Sequence, residues 1–163
     1  MPKLTVITQN IDDLHERAGS TDVIHLHGSL HQPRCFACAR PHGPEPSTSD
    51  EPEEGRKIEP PVCTHCGGRV RPGVVWFGEQ LASAAWAAAV HAIEQLKCDV
   101  FFSIGTSALV YPAAELPMKA LQRGAVVIQI NPDVTTMDKF ATYNLRGTAA
   151  SLLDELVKMA WPD

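Results

Sequence analysis

The chain has 163 residues, 44% of them hydrophobic, and a net charge of −5. That length supports one domain with a real core, and that composition argues against global disorder. The acidic balance excludes a global basic field for nucleic acid, and no apolar stretch is long enough to span a bilayer.

Met1-Pro2-Lys3 runs directly into a strand-like segment without a signal-peptide pattern, which points to the cytoplasm. Leu4-Thr5-Val6-Ile7-Thr8 reads as a buried strand, residues 11–18 as a short helix, and residues 23–28 as a second strand holding both His25 and His27. A cysteine module follows over about residues 34–70. Residues 71–79 read as an extended segment punctuated by Pro72 and Gly73. Residues 83–96 read as a helix, with Trp86, Val90, Ile93 and Leu96 at helical spacing. Val100-Phe101-Phe102-Ser103-Ile104 is the next strand. A helix begins near Tyr111, with Pro112 suited to its first turn and Gly124 to its C-terminal cap. Residues 125–130 and 141–145 are two further strands, and residues 151–161 a closing amphipathic helix with Leu152, Leu153, Leu156 and Met159 on one side.

Cys35 and Cys38 form one Cys-x-x-Cys pair, and Cys63 and Cys66 a second. Each pair can put two thiolates on one side of a tight turn, and two such turns close a tetrahedron around Zn²⁺. Two disulfides would need an oxidising compartment, and a redox motif would need only one pair. The spacing therefore predicts a closed structural zinc site, to which His31, His42 and His65 are unnecessary. Cys98 reads as a buried small hydrophobe. Between the pairs, residues 41–61 carry Glu45, Asp50, Glu51, Glu53, Glu54 and Glu59 with six prolines. Such a segment buries little and reads as a solvated loop; an acidic docking patch is the rival reading.

Strands and helices alternate, and the strands are apolar throughout. This predicts an α/β protein with a parallel sheet covered on both faces. Ligands then bind beyond the carboxyl ends of the strands. At those ends stand Thr8-Gln9-Asn10-Ile11-Asp12, His27-Gly28, Gly105-Thr106-Ser107 and Asn131-Pro132-Asp133. Four clusters of small and polar residues in one geometric position suggest a nucleotide site. Taken singly, each has a simpler reading: Asn10 a turn former, Gly105-Thr106-Ser107 a capped strand-to-helix turn, Trp76 and Phe77 core.

Together these motifs, with Val74-Val75-Trp76-Phe77-Gly78-Glu79 and the two cysteine pairs, occur in the order seen in sirtuins, which the chain resembles over nearly its whole length. Val75-Trp76-Phe77 and Val110-Tyr111-Pro112-Ala113-Ala114 are most similar to the bacterial and mitochondrial branch that removes acidic acyl groups. The resemblance implies an NAD-dependent protein-lysine deacylase that passes the acyl group to ADP-ribose and releases nicotinamide. It implies a Rossmann-like domain over residues 1–30 and 76–163, with a zinc-ribbon module inserted at residues 31–75. It matches His27 to the general base that deprotonates a ribose hydroxyl. Gln9, Asn10, Ile11 and Asp12 match nicotinamide and ribose contacts. Gly105, Thr106 and Ser107 match the phosphate and adenosine-ribose loop. Asn131, Pro132, Asp133 and Ala149 match the adenine end. Val75, Phe77, Gly78 and Glu79, with Val110 and Tyr111, match the segments between which an acylated peptide threads as an added strand.

In that family a strand, a glycine-rich phosphate loop and the residues that select acidic acyl groups precede the first segment found here. The expectation is therefore a sheet lacking the family's first strand, NAD binding that is weak or absent, and unpaired edges beside residues 4–8 and 100–104 that recruit a second copy or a partner. The alternatives are that the two half-sheets pair directly, and that the chain is a catalytically inactive zinc-containing binding module.

Overall fold

A computed structural model describes residues 3–43 and 59–162. Most of the acidic, proline-rich stretch expected to be a loop lies outside these residues. Contacts divide the chain into two compact units, Met1–Trp86 and Ala87–Asp163.

In the first unit, strand β1 (Val6–Thr8) pairs in parallel with β2 (Val23–His25), in register from Val6↔Val23 to Thr8↔His25. Helix α1 is only Leu14–Arg17, shorter than the sequence suggested; the Asp12 carboxylate accepts the Leu14 N–H at 3.1 Å and starts it late. The predicted second strand also stops early, at His25. Gly28 takes φ +76°, and a Cβ there would lie 2.1 Å from the Gly73 carbonyl oxygen. Only glycine lets the chain turn here, so His27 stands in a turn and not in the strand with His25. Gly28 opens β3 (Gly28–Cys35), which pairs antiparallel with β4 (Val70–Val74). The ladder runs from Gly28↔Val74 to Cys35↔Val70 and shifts register between Ser29 and Arg34. Pro33 and Pro72 lie within this hairpin and have no N–H to give its ladder. The sequence shows only an extended segment at residues 71–79 and carries no strand signal for β3.

Helix α2 (Ser83–Glu94) crosses the boundary between the units. It stops before Leu96, which is 44% exposed instead of continuing the apolar stripe. In the second unit, β5 (Val100–Ile104), β6 (Val126–Ile130) and β7 (Tyr143–Leu145) form a parallel sheet in the order β5-β6-β7. A 3-10 turn at Ala113–Glu115 leads into α3 (Leu116–Gln122), which packs on β5 and β6. Gly124 follows its end at φ +84°, as expected of a C-terminal stop. Leu116, Ala120, Ala125, Val127, Ile130 and Met137 are buried. One face of the edge strand β5 is not covered, however. Val100, Phe102 and Ile104, alternate residues of β5 and so on one face, are exposed. Helix α4 (Ala149–Ala160) is capped by Thr148, whose Oγ1 accepts the Ser151 N–H at 3.4 Å. Its Leu152, Leu153 and Leu156 are half-buried, but Met159 is exposed. Cys98 is half-buried, not buried; its thiol donates to the Val100 carbonyl. Among the described residues, no helix is long and apolar enough to cross a membrane.

Candidate active site and metal centre

The four module cysteines converge. Their sulfurs all lie within 4.8 Å of one another, with Cys35 Sγ 3.4 Å from Cys66 Sγ and Cys38 Sγ 3.8 Å from Cys63 Sγ. Two similar knuckles bring them together. The Ala39 N–H donates to the Cys35 carbonyl at 3.0 Å, and the Gly67 N–H to the Cys63 carbonyl at 2.9 Å. Ala39 and Gly67 both take positive φ, 58° and 73°, so each turn folds back immediately after its second cysteine. At Gly68 a Cβ would come within 3.0 Å of Cys35 Sγ and 2.8 Å of the Ala37 Cβ, so glycine makes room for the sulfurs. Backbone N–H groups favour thiolates here. That of Cys38, above all, brings the Cys35 thiol down to about 6. Those of Cys66 and His65 lower Cys63. The Gly68 N–H acts the same way on Cys66, but the Cys35 and Cys38 sulfurs beside it outweigh it and push Cys66 up to about 12. Clustered thiolates thus resist full ionisation until a cation neutralises them. The donor set, the spacing and the glycine cradle fit a tetrahedral thiophilic metal.

In the same unit, His27 Nδ1 lies 2.9 Å from the Gln9 carbonyl oxygen. A carbonyl only accepts, so Nδ1 carries the hydrogen and Nε2 of the neutral ring keeps a free lone pair. The loop that supplies this carbonyl is itself tied down. Thr8 Oγ1 accepts the Asn10 N–H at 3.0 Å, and the Ile11 carbonyl accepts the Leu30 N–H at 2.9 Å. The His27 carbonyl accepts the Val75 N–H at 2.8 Å, joining the histidine turn to the segment after β4. Beyond Val75, Trp76 and Phe77 are 49% and 102% exposed, not core. His25 is engaged elsewhere, with Nε2 2.7 Å from Glu16 Oε1.

In the second unit, a cleft of about 710 Å³ opens beyond the carboxyl ends of β5 and β6. Gly105, Ser107, Asn131 and Asp133 line it; Thr106, Pro132 and Ala149 are not among its lining residues. Thr106 contributes through its carbonyl, which accepts Asn131 Nδ2 at 3.0 Å, while Asn131 Oδ1 accepts the Asp133 N–H at 3.0 Å. Thr135, Thr136, Lys139 and Phe140, outside the four strand-end clusters, line the same cleft. Behind them is a buried polar network. Gln129, 1% exposed, donates to Asp138 Oδ1 at 2.7 Å and to Asn144 Oδ1 at 2.8 Å, and accepts from the Thr135 hydroxyl. The Thr135 N–H, Gln129 and Arg146 together hold the Asp138 carboxyl below the usual carboxylate range. Thr135-x-x-Asp138 is a capping-box signature that the sequence displays. Val110 and Tyr111 are exposed just ahead of the 3-10 turn at Ala113–Glu115.

A family model for the Sir2 family matches residues 1–112. The chain belongs to the Sir2 family. It is 59% identical over 157 residues to an NAD-dependent protein deacylase of Methylococcus capsulatus, covering 96% of this chain and 61% of that relative. A mutant Sir2 homologue solved with 2'-O-acetyl ADP ribose matches with a TM-score of 0.82 at 47% identity, over 96% of this chain and 59% of that one. A Sir2 structure with a p53 peptide and NAD+ matches with a TM-score of 0.81 at 31% identity, over 96% of this chain and 63% of that one. The chain thus spans about three-fifths of the length of these Sir2 relatives.

Proposed function

We propose that this chain carries the base, the nucleoside cleft and the structural metal module of an NAD-dependent protein-lysine deacylase. The observation that carries the reading is the His27 hydrogen bond, which leaves Nε2 as proton acceptor beside the loop of Gln9, within the residues the Sir2 family model matches. His27 takes a proton from a ribose hydroxyl, and its ring stays oriented because Gln9 holds the opposite nitrogen. Gln9, Asn10, Ile11 and Asp12 form the nicotinamide side. Gly105, Thr106, Ser107, Asn131, Pro132, Asp133 and Ala149 serve the adenosine side. NAD, when bound, supplies the acyl acceptor and nicotinamide as leaving group. Val75, Phe77, Gly78, Glu79, Val110 and Tyr111 receive the acylated lysine peptide. Cys35, Cys38, Cys63 and Cys66 hold one zinc ion; with four protein ligands no position is open, so the metal acts on folding and not on the acyl group.

Residues 31–75 are the metal module, and residues 1–30 with 76–163 the cofactor-binding part. The protein works in the cytoplasm. Among the described residues β1 pairs only with β2, and β5 only with β6. These open edges are where a second copy or a partner pairs. Light scattering tests this: a stable monomer at high concentration rejects it. The functional reading is tested under single-turnover conditions with the chain in excess over an acetyl-lysine peptide at millimolar NAD. Loss of the acetyl mass only when NAD is present supports it. An unchanged peptide contradicts it and favours a binding module.

A further inference from the structure

Glu79 is engaged within the chain on both carboxylate oxygens. Oε1 accepts from Arg71 Nη1 at 2.5 Å; Oε2 accepts from Arg71 Nη2 at 3.2 Å and from the Trp76 N–H at 3.0 Å. Arg34 Nη2 lies 3.7 Å from the same oxygen. The Arg71 side chain is only 8% exposed, unusual for a charged residue. It also donates to the Val74 carbonyl at 2.8 Å and lies over the Trp76 ring, 3.5 Å from its centroid. The Glu79 N–H closes the turn onto the Trp76 carbonyl at 2.9 Å. One planar cation therefore binds the end of β4, the indole of Trp76 and the carboxylate at the far end of the turn. A bidentate fork and a stacking face are properties of arginine that lysine lacks.

The consequence is an exposed loop with a fixed shape. Trp76 and Phe77 face solvent, a condition that ordinarily goes with low local stability. Here the loop is clamped at both ends: the Val75 N–H to the His27 carbonyl, the Trp76 N–H to the Glu79 carboxylate, and that carboxylate and the Trp76 ring to Arg71. A carboxylate so occupied has little left for a ligand, and it neutralises the cation beside it. The pair is thus suited neither to binding a substrate charge nor to an anion site. We propose that Arg71 and Glu79, assisted by Arg34, are positioning residues that hold Trp76, Phe77 and Gly78 in the form that receives the acylated peptide. This rests on the functional reading above and gives the Glu79 side chain the task of shaping the loop whose backbone receives the peptide. In the ladder, Arg34 and Arg71 face each other one step from the pair Cys35↔Val70, so the clamp is built on the strands that carry the metal module.

The test uses the full chain with Glu79→Gln, the milder Arg71→Lys, and the double variant. Two quantities are read: chymotrypsin cleavage at Trp76 and Phe77, and affinity for a fluorescein-labelled acetyl-lysine peptide. Each single variant is expected to cleave about tenfold faster, because cleavage follows the population of the open loop. Each is also expected to bind the peptide about tenfold more weakly, with the double variant little worse than either, as for residues acting as one unit. Bound metal, near one equivalent, stays unchanged. Variants that melt earlier but keep both readouts within about twofold of wild type overturn the positioning role. So does additivity in the double variant. If the wild-type chain binds no acetylated peptide, the functional reading fails, and the peptide role of the clamp falls with it. If wild type binds and the variants bind equally, the clamp alone is refuted.

Discussion

The buried hydrophobic side chains of the β3–β4 hairpin and its cysteine turns are few: Cys35, Cys63, Val70 and Val74, with Cys38 packed against the first three. The sheet unit buries more apolar side chains, from Leu116 and Ala120 on α3 to Val127 and Ile130 on β6, beside the polar Gln129. The sheet can order itself by removing apolar surface from water. The hairpin has too little apolar surface for that and depends on a cross-link through four sulfurs. Each region then carries its chemistry outside its core. The sheet forms a cleft at its strand ends, and the first unit presents a histidine turn and an aromatic loop clamped by polar contacts.

The sharpest way to break this contrast is to remove a sulfur. Cys63→Ser is expected to abolish stoichiometric metal binding and expose the amides of β3 and β4, while those of β6 stay protected. Structural zinc contributes roughly 10–16 kcal/mol of apparent binding free energy, so the loss is large. Metal analysis and hydrogen exchange read it; a hairpin still protected without metal would refute the dependence. Next in size, His27→Ala is expected to lower single-turnover deacylation roughly 10²- to 10⁴-fold while metal content and melting stay as in wild type. A loss below about tenfold would mean another group is the base. In the sheet unit, Leu116→Ala, at a site 3% exposed, is expected to destabilise by about 2–5 kcal/mol. Denaturant titration checks it, and the metal should remain bound.

A smaller effect concerns pH. The Arg71 fork, then the Trp76 N–H, holds Glu79 down to about 2 from an ordinary 4.5. A depressed carboxylate stabilises the fold above its ordinary value, and that contribution is lost as pH falls through the folded value. The thermal midpoint of wild type should therefore lose this contribution between about pH 4.5 and 2, and Glu79→Gln should show a shallower fall over that window. Identical profiles would mean that the contact is not maintained in solution. Smallest of all, Lys158→Ala removes an exposed pair with Asp154 at 2.6 Å on α4. It should change stability by less than about 0.5 kcal/mol.

The parts legible in the sequence were those fixed by local pattern. Cysteine spacing announces the cluster because ligand geometry demands it, and Val100–Ile104 and Val126–Ile130 are apolar enough to read as sheet strands. What was missed depends on partners distant in sequence. Strand β3 contains Gln32, Pro33 and Arg34 and has no strand-like pattern; it exists because β4 pairs with it. His27 looked like a strand residue because nothing local shows that Gly28 must approach Gly73. Gln129 read as part of an apolar strand, whereas its buried amide is satisfied by Asp138, Asn144 and Thr135 from beyond β6. Arg71 gave no signal because its role needs Glu79 and Trp76 folded onto it.

The central claim is that His27 enables transfer of an acyl group to ADP-ribose. Mass spectrometry of the small-molecule products, with an acetyl-lysine peptide and NAD, tests it most directly. The account predicts O-acetyl-ADP-ribose and nicotinamide in equal amounts from the wild-type chain and at least about a hundredfold less ester from His27→Ala. Free acetate without an ADP-ribose ester, or equal ester from both proteins, would contradict it.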